Sequence, residues 1–174
     1  WTITGKTFFY TNHTLMPDAL ETWPGGLFEE ILPRHLQIIY EINQRFLDEV
    51  RHQFPGDAEL VKRLSLIDET GGRRVRMANL AIVGSHTVNG VSRIHTELMK
   101  ETIFADFERF SPGKIINITN GITPRRWLHQ ANPDLSKLST SKIGECWITD
   151  LSCLRDLRPL AEHAAFRMEF RAVK

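Results

Sequence analysis

Residues 7–14 read TFFYTNHT, and residues 114–127 read KIINITNGITPRRW. The first stretch begins with an aromatic cluster and the second with a β-branched run, both typical of buried strands, and each then turns polar. The pattern predicts two short buried strands that end near His13 and Asn120. Because α/β folds place binding residues at strand ends, these two stretches decide both the fold class and the location of a site.

The segment between the two strands contains one strong helical pattern. Pro33 begins a predicted helix over 34–54, and its apolar residues recur at three- and four-residue steps. These residues are Leu36, Ile39, Ile42, Phe46 and Val50. Asp57 is the predicted N-cap of a shorter helix over 58–65.

Weaker patterns complete the chain. Proline and glycine restrict residues 16–31 to short helical pieces at 18–22 and 27–31. We expect a turn at 69–72 and an exposed extended piece at 73–76. After Pro124, short helices are predicted at 125–130, 135–143, 151–157 and 161–173.

The string GSHTVNG at 84–90 interrupts a helical pattern that runs over 77–83 and resumes over 91–102. We expect a short strand at 86–88, with Ser85 or Asn89 capping the second helix. The buried face of that helix is predicted to be formed by Val91, Ile94, Leu98 and Met99. The alternation of strands and helices predicts parallel pairing in a helix-rich α/β fold.

Composition excludes several classes of function. The 22 Lys+Arg residues against 21 Asp+Glu residues leave a net charge of +1, so no basic field favours nucleic acid or an anionic membrane. No apolar run approaches the roughly 20 residues that span a bilayer, and the first residues do not resemble a signal peptide. The histidines lack the spacing of a zinc site, so no metal is expected. Cys146 and Cys153 fit neither a disulfide framework nor a metal motif, and we expect reduced, buried thiols.

Three residues stand out chemically, each with an ordinary structural alternative. His13 can donate to a hydroxyl group at a strand end, or it can cap the next helical turn. Asn120 offers both a donor and an acceptor, or it forms part of an Asn-Gly turn. Trp127 reads from spacing alone as an anchor in a core or an interface.

The strings YTNHT at 10–14, LPRHLQ at 32–37 and TNGITPRRW at 119–127 closely resemble the α-glucan phosphorylases. The resemblance runs from about residue 6 to about residue 158 and matches only a middle slice of that longer family. It implies a helix-rich segment of the GT-B (Rossmann-like) glycosyltransferase fold. Residues 1–120 would then be the C-terminal part of the N-terminal Rossmann-like domain, and 121–174 the mostly helical crossover into the second domain.

The resemblance also implies roles for individual residues. In the family, the residues matching His13 and Asn120 bind hydroxyl groups of the same glucosyl unit, and the residue matching Trp127 packs near the pyridoxal ring. Asp18 stands where the family usually has Glu, so its part in an acceptor-glucan channel would be played by a shorter side chain. A remote glucan site on the surface is implied for Tyr40, Asn43, Ser65, Glu69 and Arg73. An ordinary solvated helix is the alternative there.

The implied activity is transfer of the terminal glucosyl unit of glycogen or maltodextrin to inorganic phosphate, with release of glucose 1-phosphate. The implied cofactor is pyridoxal 5'-phosphate, whose lysine belongs to a part of the family absent from this chain. The implied partners are the α-1,4-glucan, phosphate, the rest of the same polypeptide and a second copy, in the cytoplasm. The isolated chain is therefore expected to be inactive. A non-catalytic glucan-binding or scaffolding protein, or a purely structural remnant, are the alternatives.

Overall fold

The computed structural model describes residues 2–174, and its internal packing divides them into two compact units. The first unit ends at Asn120 and the second begins at Gly121. The helices of the first unit are α1 (Thr4–Thr7), a 3₁₀ helix (Pro17–Ala19), α2 (Gly25–Ile31), α3 (Pro33–Gln53), α4 (Ala58–Leu64), α5 (Met77–Gly84), α6 (Arg93–Glu101) and α7 (Ala105–Phe110). Its strands are β1 (Phe9–Asn12), β2 (Thr22–Pro24), β3 (Ile67–Asp68), β4 (Arg74–Arg76), β5 (Thr87–Gly90) and β6 (Ile115–Asn117).

A three-stranded parallel sheet in the order β1-β5-β6 organises the first unit. Strand β5 is central, and helices connect it to both neighbours along the chain, as parallel pairing requires. The predicted α/β class is therefore confirmed. Both predicted strands are present, and the short strand expected at 86–88 forms the centre of the sheet.

The aromatic residues around β1 are less buried than the sequence pattern predicts. Phe8 and Phe9 are 61% and 60% exposed, so the prediction of a buried strand is wrong for these two side chains. Within this chain β1 lies at the edge of its sheet and has one neighbour only. Strand propensity indicates an extended backbone, but it does not say how many neighbours cover the strand.

A second, antiparallel sheet in the order β2-β4-β3 was not predicted. Its strands are two or three residues long, too short to show a clear alternation of polar and apolar residues. The segment expected to be exposed at 73–76 contains the buried Val75, because β4 is the central strand of this sheet. Helical pieces alone were expected where β2 lies.

Helix α3 packs along the core as its periodicity predicts. Its buried residues are Leu36, Ile39, Phe46, Leu47 and Val50. Pro33 occupies the first turn, where its missing N–H removes no hydrogen bond. Asp57 caps α4 as predicted, because its side chain accepts from the Leu60 N–H at 3.0 Å.

Helix α6 presents only part of the predicted face to the core. Met99 is buried as predicted, but Ile94 is 75% exposed and Leu98 is also exposed, while Thr96, which was not predicted, is buried. The N-cap is Ser92, not Ser85 or Asn89, since Ser92 Oγ accepts from the His95 N–H at 3.2 Å. The cap fixes where the helix begins, whereas the buried face follows from the packing of α6 against β5, β6 and α7.

The second unit is entirely helical among the described residues. It contains a π-helix (Arg125–Gln130), α8 (Pro133–Ile143), two 3₁₀ helices (Cys146–Ile148 and Leu151–Glu162) and α9 (Ala164–Val173). These agree with the short helices predicted after Pro124. Between residues 2 and 174, no helix is both long and apolar enough to cross a membrane.

The prediction of reduced, buried thiols at Cys146 and Cys153 is wrong. The structure joins the two sulfur atoms in a disulfide, and the Cα atoms lie 6.1 Å apart, within the usual range for such a bond. The chain turns between the two 3₁₀ helices, which brings residues seven positions apart side by side. The buried residue of this segment is Trp147, whose indole N–H donates to Thr140 Oγ1 at 3.2 Å.

Candidate functional site

The carboxyl ends of the three parallel strands meet at one edge of the sheet. Asn12 is in register with Gly90, and Gly90 is in register with Asn117. His13 directly follows β1, and Asn120 comes three residues after β6. Since neighbouring strands are about 4.8 Å apart, β1 and β6 lie about 10 Å apart across β5. The topology thus brings together two polar side chains that are distant in the sequence.

The loop at His13 is held by hydrogen bonds to its neighbours. The buried Asn12 donates from Nδ2 to the carbonyl oxygen of Thr14 and accepts from the Tyr10 hydroxyl at 3.1 Å. His95 Nε2 lies 3.4 Å from the same Thr14 oxygen. Burial raises the pKa of Tyr10, so its hydroxyl remains a donor to Asn12 over the physiological pH range. The imidazole of His13 itself is exposed and has no hydrogen-bonding partner among residues 2–174.

The segment that ends at Asn120 runs along the end of β5. Its backbone N–H groups donate to β5 and to the residue after it: Ile118 to the carbonyl oxygen of Gly90 at 3.1 Å, and Asn120 to that of Val91 at 3.0 Å. The Ile118 N–H also lies 2.9 Å from Asn89 Oδ1. The amide of Asn120 is exposed and, within the described part of the chain, has no hydrogen-bonding partner. Both candidate side chains therefore retain their full hydrogen-bonding capacity.

Asp18 lies on the exposed 3₁₀ helix that follows the His13 loop. No ion pair involves its carboxylate within residues 2–174, so the group is available to a ligand. The structure gives no contact between Asp18 and the sheet edge, and its place in an acceptor channel stays a prediction.

Trp127 belongs to the second unit, where the π-helix positions it. Its side chain is 69% exposed, so of the two alternatives expected from spacing alone the core anchor is wrong, and the interface anchor stays a prediction. A concavity of about 730 Å³ on the same unit is lined by Arg125, Arg126 and His129. Arg125 Nη1 donates to the carbonyl oxygen of Ile148 at 3.1 Å, which fixes one of the two guanidinium groups. Sequence reasoning missed this cationic concavity, because the fold is needed to bring Ile148, which also lines it, next to the helix that carries the two arginines.

The five residues of the implied remote surface divide into two groups. Asn43 Oδ1 accepts from the Leu66 N–H at 2.8 Å, and Ser65 Oγ donates to the carbonyl oxygen of Ile67 at 2.9 Å. Asn43 Nδ2 also donates to Ser65 Oγ at 3.3 Å, so these two side chains join α3 to the end of α4. The hydrogen-bonding groups of Asn43 and Ser65 are therefore occupied by partners within the protein.

The other three residues of that surface are Tyr40, Glu69 and Arg73. The neighbouring Tyr40 hydroxyl, assisted by the Glu29 carboxylate, raises the pKa of Arg73. The Arg73 guanidinium lies 3.6 Å from Glu29. Glu69 is exposed and precedes Arg73 in the sequence by one turn-forming segment.

Metal binding has no structural support in the part of the chain that is described. From residue 2 to residue 174, no three His, Cys, Asp or Glu side chains are close enough to hold an ion. The two candidate side chains at the sheet edge, an imidazole and an amide, are hydrogen-bonding groups. Such groups suit a ligand rich in hydroxyl groups.

A parallel sheet with polar side chains at its carboxyl edge is the arrangement in which α/β proteins bind small molecules. The chain belongs to the carbohydrate phosphorylase family, whose model matches residues 1–174. The resemblance inferred from the three sequence strings is therefore confirmed.

The relatives are glycogen phosphorylases from bacteria and animals. The chain is 56% identical over its full length to the glycogen phosphorylase of Synechocystis sp. and covers 20% of that protein. It is 53% identical, again over its full length, to the liver form of Bos taurus and to the muscle form of Oryctolagus cuniculus, covering 20% and 21% of them. The chain thus spans about one fifth of the length of these relatives and corresponds to a segment of a phosphorylase.

Proposed function

We propose that this chain forms part of an α-1,4-glucan phosphorylase. The complete enzyme would transfer the terminal glucosyl unit of glycogen or a maltodextrin to inorganic phosphate and release glucose 1-phosphate. The observation that supports this proposal is the common edge of β1, β5 and β6, which His13 and Asn120 both follow. The identity of 52–56% to glycogen phosphorylases adds support for the reaction.

His13 and Asn120 would bind and orient the glucosyl unit. The imidazole would hydrogen-bond the primary hydroxyl group, and the amide would bond ring hydroxyl groups as donor and acceptor. Neither side chain has a protein partner within residues 2–174, so no internal bond must break when sugar binds. Their contribution is positioning, which lowers the barrier by holding the reacting carbon in place.

Pyridoxal 5'-phosphate is the cofactor that the family implies, and Trp127 is the residue of this chain proposed to contact it. The exposed indole fits this part, because a flat apolar face is free to pack against a flat ring. The cofactor's phosphate group would supply proton transfer in the complete enzyme. Its lysine and the phosphate-binding residues are assigned to parts of the family beyond this chain.

The remaining proposals concern the complete protein. Asp18 would help shape the channel for the acceptor glucan, and the remote glucan surface would be limited to Tyr40, Glu69 and Arg73. We place the enzyme in the cytoplasm as a homodimer. Residues 1–174 alone would be inactive, because the reacting groups come from several parts of the polypeptide.

The test uses a chimaeric phosphorylase, defined as the Synechocystis relative with its matching fifth replaced by this chain. Glucose 1-phosphate release from maltodextrin and phosphate would be measured for the chimaera and for His13→Ala and Asn120→Ala. Because one hydrogen bond to a buried ligand is worth about 1–3 kcal/mol, each variant should lower kcat/KM by roughly 5-fold to 150-fold. His86→Ala is the matched control, since His86 precedes β5 and so lies at the opposite edge of the same sheet.

The outcomes separate the proposal from its alternatives. A soluble, folded chimaera without activity would contradict the proposal that this segment completes a working site. Unchanged turnover in both alanine variants would favour a purely structural segment. Loss of activity in His86→Ala to the same extent as in His13→Ala would show a general effect on folding.

A further inference from the structure

We propose that Asn89 is a positioning residue that sets the place of Asn120 at the sheet edge. Asn89 lies in the central strand β5, between the strands that precede His13 and Asn120. Its side chain hydrogen-bonds the backbone that leads to Asn120. This inference rests on the proposed function and adds to it one residue that positions the sugar-binding Asn120.

The contact is a hydrogen bond from a backbone N–H just after β6 to a buried side chain of β5, and it adds to the backbone hydrogen bonds between the two segments. Asn89 is 7% exposed, and its Oδ1 accepts from the Ile118 N–H at 2.9 Å. The same N–H lies 3.1 Å from the carbonyl oxygen of Gly90, so it is shared between two acceptors. Two residues later, the Asn120 N–H donates to Val91.

Packing does not hold this segment. Every residue from 116 to 123 is exposed, including Ile118 and Ile122. A segment whose side chains are all exposed takes its position chiefly from its hydrogen bonds. Removing the Asn89 acceptor should therefore increase the mobility of the backbone that carries Asn120.

The chemistry of an amide suits this position. The Oδ1 atom accepts from a backbone N–H without bringing a charge into a buried strand, whereas an apolar side chain would remove one of the two acceptors. Asp keeps an acceptor oxygen of nearly the same reach. Asn89→Asp should therefore retain most of the positioning effect that Asn89→Ala loses.

The experiment is a pair of double-mutant cycles in the chimaeric phosphorylase. Asn89→Ala should lower kcat/KM by roughly 3-fold to 10-fold, the factor expected for one neutral hydrogen bond. Because Asn89 acts through Asn120, adding Asn89→Ala to Asn120→Ala should cause no further loss. Adding Asn89→Ala to His13→Ala should multiply the two losses, since His13 is positioned through β1.

Asn79→Ala is the matched control variant. Asn79 Nδ2 donates to backbone carbonyl oxygens at the end of α4, including that of Ser65 at 3.1 Å, away from the sheet edge. Its loss should lower the melting temperature and leave the effect of Asn120→Ala on kcat/KM unchanged. Should Asn89→Ala fail to fold, Asn89→Ser, which is also too short to reach Ile118, replaces it in both cycles.

Two results would overturn the inference while leaving the proposed function intact. One is a multiplicative loss when Asn89→Ala and Asn120→Ala are combined. The other is an activity of Asn89→Asp as low as that of Asn89→Ala. If instead the single variant Asn120→Ala leaves turnover unchanged, the result contradicts the sugar-binding role of Asn120 in the proposed function, on which this inference depends.

Discussion

Replacing Gly90 with alanine should open the end of the parallel sheet. A methyl group at Gly90 would lie 2.9 Å from both Cα and Cβ of Thr96, and closer still to its hydroxyl oxygen. Carbon atoms prefer separations of about 3.5–4.0 Å, so α6 would have to retreat by about 0.6–1.1 Å. Thr96 Cα belongs to the backbone of α6 and Cβ is bonded directly to it, so a change of side-chain rotamer would move only the hydroxyl oxygen and leave both carbon contacts in place.

The energetic cost follows from this geometry. Overpacking a tight contact costs about 1–3 kcal/mol. Thr96 Oγ1 also donates to the carbonyl oxygen of Ser92 at 2.8 Å and lies 3.3 Å from Asn117 Oδ1. Displacing Thr96 would weaken these hydrogen bonds and cost about 1 kcal/mol more in stability. The total expected destabilisation of the sheet edge is about 2–4 kcal/mol.

Hydrogen–deuterium exchange of the chimaeric phosphorylase, followed by mass spectrometry, measures this effect locally. Peptides covering β5 and β6 should exchange roughly 30-fold to 700-fold faster in Gly90→Ala, because each 1.4 kcal/mol is a factor of about ten. Gly26→Ala is the control: nothing lies within 4 Å of a methyl group there, and alanine favours the helix α2. Exchange in β5 within about threefold of the parent would refute the reasoning from the Gly90–Thr96 contact.

Two further predictions concern a helix cap and a carboxylate. Ser92→Ala removes the acceptor for the His95 N–H and should destabilise the start of α6 by about 1 kcal/mol. The effect should appear as faster hydrogen–deuterium exchange in α6 alone, and unchanged exchange there would contradict the assignment of the cap. Hydrogen bonds from Thr70 lower the pKa of Asp68 to about 2, with help from Arg76. The stabilisation from Asp68 should be complete above its ordinary pKa of 3.8 and lost as pH falls toward 2, so the stability difference between parent and Asp68→Asn should shrink over that interval in denaturant titrations. Thr70→Ala should raise the folded-state pKa of Asp68 toward its ordinary value and so narrow the interval from its lower end, and a difference that does not change with pH would contradict the assignment.

Much of the architecture could be predicted because it follows from local patterns. The periodicity of α3 and the proline at its start define that helix without tertiary information. The strand propensity of residues before His13 and Asn120 places both at strand ends, and parallel pairing follows from the helices between them. The sheet edge of the candidate site was therefore accessible from sequence.

Other features depend on contacts between residues distant in the chain. The exposure of Phe8 follows from the position of β1 at the edge of its sheet, which its own sequence does not specify. The face of α6 that packs inward depends on its contacts with β5 and β6. The role of Asn89 also escaped prediction, because its acceptor serves a backbone group 29 residues further along. From the local sequence, Asn89 is predicted to cap the next helix, and only the tertiary structure shows that its partner is the Ile118 N–H.

The order β1-β5-β6 has a consequence for synthesis of the chain. The edge strand β1 must wait for roughly eighty further residues before its parallel partner exists, and Asn120 leaves the ribosome roughly a hundred residues after His13. At about 5–20 residues per second, that interval is about 5–20 s. Until β5 appears, β1 lacks the one strand neighbour it has among residues 2–174, and the backbone groups that face β5 remain unpaired. The two halves of the proposed sugar site are thus separated in time as well as in sequence, and the nascent chain is most open to non-native pairing before β5 appears.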